Sequence, residues 1–504
     1  MKNNLSKRFP LIICSILSII HLCITFITDP IIFKVSWTAN KPDYIVCKIL
    51  ALVVLFFFYY GLYLLIFKGK ESDFRQIVLT ALPYLAIILA VCIIKLPQGY
   101  LSNDETLIVE NALSLTHYTW FYYITTYYYI IGFMLVPTYI GPIIVKLIIE
   151  FLVIGYVVYR IKKVLGKPYG YFGYALFLLY PVIAYTTSAH RLPIYFLLYL
   201  LLMSMLIFDG IEKADLTYGK ALFIIFLGAV LTQWRTEGIY LAVIIPILMI
   251  LTYPNLRKIK PAVIMIISTI IIQYIVSIPQ NGLIVREMGA AADDRMKPFY
   301  AYTITNMYRN GLDEEKNAED LAIVDKYLSL DKIKAINDYY GDINYEDVLI
   351  LYQADYIGIR EEATVTDYFN FANACKRIFA NNIGVLLKTR IGAFCYAALP
   401  YHIEKDSGII SLGISLVKSL LYNLFIPLAI IAAILLYSLF KKKWFTFFLT
   451  GGVLAHWFIV FVLAPASYFK YYFPVYIIAY FYLLMIVLTL IYNRKGKESV
   501  IVLR

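Results

Sequence analysis

Apolar runs of about 20 residues with few or no charges recur along this chain, and nothing else constrains its fold as strongly. A helix of that length crosses the hydrocarbon core of a bilayer. On this reading spans are expected at 10–28, 45–67, 77–96, 141–159, 168–186, 192–208, 221–233, 239–253, 261–278, 415–440, 444–464 and 471–492. Composition agrees: of 504 residues 61% are hydrophobic and only 15% charged, where soluble domains carry about a quarter charged. Mean hydropathy is +0.74. The basic start and apolar run of the N-terminus resemble a signal peptide, but no small-x-small cleavage site follows, so a retained first helix is expected. The expected fold class is an all-α polytopic membrane protein with about twelve transmembrane helices.

The net charge of +12 would suit nucleic acid in a soluble chain. Here Lys and Arg fall in short clusters between apolar runs, such as Arg160/Lys162/Lys163/Lys167 and Arg257/Lys258/Lys260, so the charge reads as membrane topology and no nucleic-acid partner is expected. Loops 29–44, 97–140, 187–191, 234–238 and 465–470 are poor in Lys and Arg. The two kinds of loop alternate if the aromatic segment 118–135 (YTWFYYITTYYYIIGFML) does not cross the membrane. Trp and Tyr prefer the headgroup boundary, so this segment is expected to lie in or dip into the outer interface. Both termini are then cytoplasmic in a multi-pass plasma-membrane protein. The organisation expected is a transmembrane module at 1–278 with an outer loop at 97–140, a mostly helical extracytoplasmic region at 279–408, and C-terminal helices with a basic tail at 409–504. Of six cysteines, Cys375 and Cys395 fall in or near the polar region, where a disulfide is open to them. No CxxC or HExxH spacing is present, so no cofactor is called for, while a divalent metal stays open.

The polar break LSNDETLIVENALSL, 101–115, carries Asp104 and Glu105 side by side. With the other Lys/Arg-poor loops it assembles a charged set: Asp104, Glu105 and Glu110, then His190 and Arg191, then Arg235 and Glu237, and finally Lys470 followed by Tyr471 and Tyr472. Cations are depleted on such a face, so each one retained there needs its own reason. A lipid-linked sugar donor supplies one. Arg191, Arg235 and Lys470 would hold its phosphate and stabilise charge on the leaving group. A carboxylate nearby, Asp104 or Glu105, would act as general base on the acceptor hydroxyl. His190, Glu237, Tyr471 and Tyr472 would line the substrate.

Each residue also has a structural reading. Ser102 and Glu105 fit a helix capping box, which favours Asp104 as the base. Arg191 and Arg235 can snorkel to headgroups, Arg235 can pair with Glu237, and Lys470 can be an interfacial anchor. Within the 141–159 span Lys146 and Glu150 share a helix face, either as a functional pair or as a brace. His456 reads as packing.

A carboxylate pair opening the first large outer loop, an aromatic interfacial helix, the turn RIKKVLGK, then SAHRLPIYFLLYLLL, WRTEGIYLAVIIPIL and YFKYYFPVYIIAYFYLL together resemble the GT-C superfamily of integral membrane glycosyltransferases. The nearest likeness is to its protein O-mannosyltransferase and aminoarabinose transferase branch. The resemblance implies an inverting transfer from a polyprenyl-phosphate sugar donor to an extracytoplasmic glycan, lipid or protein, with Asp104 as base and Arg191 and Arg235 on the phosphate. Lys470 stands where that pattern commonly has Arg, and the region 279–408 has no counterpart in it. Two other functions remain open: a polysaccharide polymerase or ligase using lipid-linked glycan, and a transporter or lipid flippase, which would place binding groups near the bilayer midplane.

Overall fold

The computed structural model describes residues 2–69, 72–95, 103–117, 121–186, 191–287, 296–340, 358–400, 409–495 and 500–503; the side chains of Asn103 and Asp104 lie outside this description. Among these residues the chain is helical, with one isolated bridge between Leu328 and Ile359. The helices are α1 (Lys2–Ile32), α2 (Lys41–Phe67), α3 (Asp73–Lys95), α4 (Asn103–Leu113), α5 (Tyr123–Leu135), α6 (Gly141–Leu165), α7 (Lys167–Phe172), α8 (Tyr174–Phe177), α9 (Tyr180–Thr186), α10 (Arg191–Glu212), α11 (Tyr218–Trp234) and α12 (Leu241–Thr252). They continue as α13 (Ile259–Glu287), α14 (Lys297–Arg309), α15 (Ala318–Asp325), α16 (Leu330–Tyr340), α17 (Val365–Asn381), α18 (Ile383–Ala398), α19 (Ile409–Leu421), α20 (Phe425–Phe440), α21 (Trp444–Leu463) and α22 (Phe473–Arg494). Two compact units form. The first is Met1–Ser277 with Leu436–Leu449 and Tyr480–Arg504, and the second is Ile278–Leu435 with Thr450–Ala479.

Nine helices among the described residues are long and apolar enough to cross a membrane. They match nine of the twelve expected spans. The other three depart for identifiable reasons. Segment 168–186 is broken into α7, α8 and α9, in a stretch carrying Gly166, Pro168, Gly170, Gly173 and Pro181. Gly166 takes φ +98°, a conformation few residues other than glycine adopt, and ends α6. Backbone exposed by such a break must find partners at membrane depth. Tyr84 donates to the Phe177 carbonyl at 2.7 Å, and Lys146 donates to that of Thr186. Helix α11 has 17 residues and α12 has 12, so at 1.5 Å per residue they reach about 25 and 18 Å, short of a core about 30 Å thick.

The first unit has two distinguishable ends. At one, Lys48 Nζ, in the second turn of α2, lies 2.6 Å from Asp29 near the end of α1. There too Asn40 donates to the Leu115 carbonyl at 2.9 Å, and Arg191, which opens α10, meets Glu105 of α4. At the other, Arg160 of α6 pairs with Asp209 and Glu212 of α10 at 3.1 and 3.2 Å, and Lys220 of α11 reaches Asp209 at 3.0 Å. Tyr253, just after α12, donates to the same carboxylate at 2.6 Å, and Lys163 lies 3.4 Å from Asp73, which opens α3. Residues around 29–44, 113–117, 121–122 and 234–238 thus gather at the Glu105 end, and the basic loops around 160–167, 213–220 and 253–258 at the Asp209 end. Helices α3 and α6 pack closely along the way because Gly155 has no side chain: a Cβ there would stand 2.5 Å from the Ile77 carbonyl and 2.8 Å from Ala81 Cβ.

Helix α5, expected to lie in or dip into the interface without crossing, is packed into the first unit. Its 13 residues span only about 20 Å, and nine of them are buried. Its tyrosines bond to the protein. Tyr123 and Tyr127 donate to Asp43, at 3.2 and 2.5 Å, and Tyr128 to the Pro142 carbonyl. Burial and the bond to Asp43 push the Tyr127 hydroxyl well above its usual range, so it stays a donor. Three tyrosines of this segment thus serve buried hydrogen bonds; residues 118–120 lie outside the description.

In the second unit α14 through α18 form a small helical assembly. Thr364 and Asp367 make a capping box that opens α17. Arg360 grips Asp325 through two contacts of 2.8 Å, and Arg377 pairs with Asp320 at 2.6 Å. Tyr300, Tyr327, Tyr368, Phe371 and Phe379 stack between the helices. Cys375 and Cys395 are both free thiols.

Candidate functional site

The Glu105 end of the first unit brings together residues far apart in sequence. Glu105 is 1% exposed. Its Oε1 accepts the backbone N–H of Arg191 at 3.1 Å and lies 4.0 Å from Nη1 of the same residue. The carboxylate therefore caps the N-terminus of α10, a favourable place for negative charge. This differs from the expected capping box, in which Glu105 would serve its own helix. Ser102 lies outside the described residues. The Arg191 guanidinium stacks 3.9 Å from the centre of the Phe121 ring, and its carbonyl accepts from Trp234 Nε1 at 3.2 Å. Tyr128 packs edge-on against Trp234 at 5.7 Å, and the Tyr122 hydroxyl lies 3.4 Å from Thr236 Oγ1. Three separate segments, α4, the residues before α5 and the end of α11, thus fix one arginine.

Arg235 and Glu237 follow Trp234 by one and three residues. Arg235 Nε donates to Glu237 Oε1, and both side chains are largely buried. Gly238 beside them cannot carry a side chain, since a Cβ would lie 2.5 Å from the Leu231 carbonyl and 3.2 Å from the Tyr195 hydroxyl. The pairing offered as a structural alternative for Arg235 is present. Asp104 is the second residue of α4, directly before Glu105, while its side chain, like the whole of His190, lies outside the described residues.

Lys470, Tyr471 and Tyr472 belong to the second unit. The Lys470 ammonium sits 4.7 Å from the centre of the Tyr468 ring. The Tyr471 carbonyl accepts from His456 Nε2 at 3.1 Å, which gives that buried histidine a packing role. Tyr472 is buried with its ring 5.2 Å from Phe394. Of the charges within the spans, Lys146 and Glu150 are both buried on α6, and Lys146 pins α6 to the end of α9.

Two clusters escaped the sequence reading. Asp43, in the first turn of α2, accepts from Asn40, His117, Tyr123 and Tyr127. The His117 ring lies against Tyr123 with centres 3.4 Å apart, so Asn40, Asp43, His117, Tyr123 and Tyr127 are bound into one cluster. The helix-opening acid of α2 was a visible signal, but nothing near it in sequence marks its partners. In the second unit Arg390 is buried on α18, and no pattern around it announces that. Among the described residues no three His, Cys, Asp or Glu side chains gather as metal ligands would. Comparison of the chain with protein-family models, with curated proteins and with solved structures gave no match.

Proposed function

We propose that this protein is a membrane glycosyltransferase that moves a sugar from a polyprenyl-phosphate donor to an extracytoplasmic acceptor, working at the Glu105 end of its first unit. The observation that carries this reading is the seating of Arg191. A guanidinium stacked on Phe121, with its backbone held by Glu105 and Trp234, is oriented before any ligand arrives. That is how an enzyme stabilises charge developing on a leaving phosphate. Glu105 is buried against a cation and a helix N-terminus, surroundings that suit an anchor. The base role falls to its neighbour Asp104. Arg235, already paired with Glu237, offers the site hydrogen-bond donors, since that pair carries no net charge. The basic loops at the Asp209 end support placing that end in the cytoplasm and the Glu105 end outside.

Transport is the competing class, and one observation favours it: buried Lys146 and Glu150 beside the broken segment α7–α9. Broken helices at membrane depth are where transporters bind substrate. Here, however, the carbonyls of Phe177 and Thr186 are taken up by Tyr84 and Lys146 as internal bonds. Mass spectrometry of lipid-linked sugars and envelope glycans in cells with and without the protein tests the proposal. A sugar donor accumulating as a glycan loses that sugar supports it. Unchanged glycans with altered uptake of a solute support transport instead.

A further inference from the structure

The last helix of the small assembly in the second unit, α18, packs on spanning helices. The Phe394 ring lies 5.5 Å from Trp457 and 6.3 Å from Phe461 of α21, and 5.5 Å from Phe425, which opens α20. The Ala398 carbonyl that ends α18 accepts the Leu424 N–H at 3.1 Å. One turn before Phe394, Arg390 is buried, its Nη1 donating to the Ala464 carbonyl at 2.8 Å and its Nη2 to Thr303 Oγ1 of α14. These contacts set a depth. Helix α21 has 20 residues and is apolar enough to cross a membrane, which at 1.5 Å per residue is about 30 Å, the thickness of the hydrocarbon core. Trp457 stands six residues before its end at Leu463, about 9 Å inside it. In a bilayer that α21 crosses, Phe394 is level with hydrocarbon and Arg390 with the helix end.

The exposed face of α18 fits that depth. Ile383, Leu387 and Ile391 are 60%, 49% and 53% exposed, and Cys395 is an exposed free thiol. They recur every fourth residue, so they line one face of the helix. Helix α17, which leads into α18 through Asn382, exposes Asn370, Asn373, Lys376 and Arg377 instead, the polar face of a helix in water. Two consecutive helices of one assembly thus show opposite outer faces. An apolar stripe on a helix seated against spanning segments marks contact with a membrane. Lys388, which is exposed beside the stripe, sends its ammonium to the Asn310 carbonyl at 3.3 Å, as a lysine at a bilayer edge turns its head aside while its stem stays on apolar surface.

We propose that α18 dips into the bilayer beside α20 and α21, with Leu387, Ile391 and Cys395 against lipid acyl chains and Ile383 at the headgroup border. The stretch 279–408, expected outside the membrane, then ends within it. This inference rests on the membrane reading of α21 and not on the glycosyltransferase reading. To test it, the full-length protein is reconstituted in phosphatidylcholine–phosphatidylglycerol liposomes with a nitroxide on the native Cys395. Cys23→Ala and Cys92→Ala remove the other thiols that are not buried, and Cys395→Ala measures any label elsewhere. Collisions of the nitroxide with oxygen, which concentrates in hydrocarbon, are compared with those of a polar nickel chelate, which stays in water. The expected oxygen-to-chelate ratio at Cys395 is at least about tenfold that of a label on Asn373→Cys of α17. Ile391→Cys, placed in the Cys395→Ala background, is expected to match Cys395, and Ile383→Cys to fall between the two. A ratio at Cys395 and Ile391→Cys equal to that of Asn373→Cys means water and overturns the proposal. Low collision with both reagents means cover by another segment or by a second copy of the chain, and overturns it as well. Cys395 is native, so the test stands even where an introduced cysteine fails to fold.

Discussion

The two ends of the first unit handle charge in opposite ways. At the Asp209 end one buried carboxylate serves Arg160, Lys220 and Tyr253 together, joining α6, α10, α11 and the chain after α12. At the Glu105 end the carboxylate takes a backbone N–H, and the guanidinium lies 4.0 Å away on an aromatic ring. The first arrangement ties helices together through the charges themselves. The second holds a charged head in place by its backbone and by a flat ring. The difference separates a brace from a seat.

That contrast can be broken in order of expected effect. Asp209→Ala strips Arg160 and Lys220 of their shared partner and is expected to cost about 3–5 kcal/mol, read as a large fall in Tm and yield. Survival of the native Tm would make the Asp209 end no brace at all. Arg191→Ala is expected to lower glycosyl transfer at least about 100-fold, the scale seen when one preorganised donor is removed, with a smaller change in Tm than Asp209→Ala produces. A loss of stability matching that of Asp209→Ala would make Arg191 a brace too. Glu105→Gln keeps an acceptor for the Arg191 N–H while removing the charge, so a loss of about 1–2 kcal/mol is expected, with activity reduced but measurable. The smallest effect belongs to Asp73→Ala, whose pair with Lys163 is exposed and is worth about 0–1 kcal/mol; only its bond from Tyr159 would be missed.

Much of the fold is legible in hydropathy alone, because nine apolar runs are long enough to decide between helix and loop without help from neighbours. The broken segment α7–α9 was legible in principle from its glycines and prolines, yet its apolar content reads as one span. Helix α5 shows a limit of a different kind. Tyr is enriched both at headgroups and wherever a buried acceptor needs a donor, and the bond from Tyr127 to Asp43, 84 residues away, leaves no local pattern. For the site, the clustering of Glu105 with Arg191 follows from sorting the loops by charge. The bond from the Arg191 N–H does not, since a cap supplied by another helix leaves no local pattern. Arg390 was hidden for a related reason. A charge in a polar helical region looks solvated until the packing of α14 and α21 around it is known.

The most direct test of the proposed chemistry is reconstituted transfer. The purified protein is placed in liposomes with a lipid extract containing polyprenyl-phosphate sugars, and sugar transfer is followed by mass spectrometry beside the Asp104→Asn variant at matched Tm. The expected result is consumption of one lipid-linked sugar by the native protein and none by Asp104→Asn. Equal consumption by the two would contradict the assignment of catalysis to the start of α4.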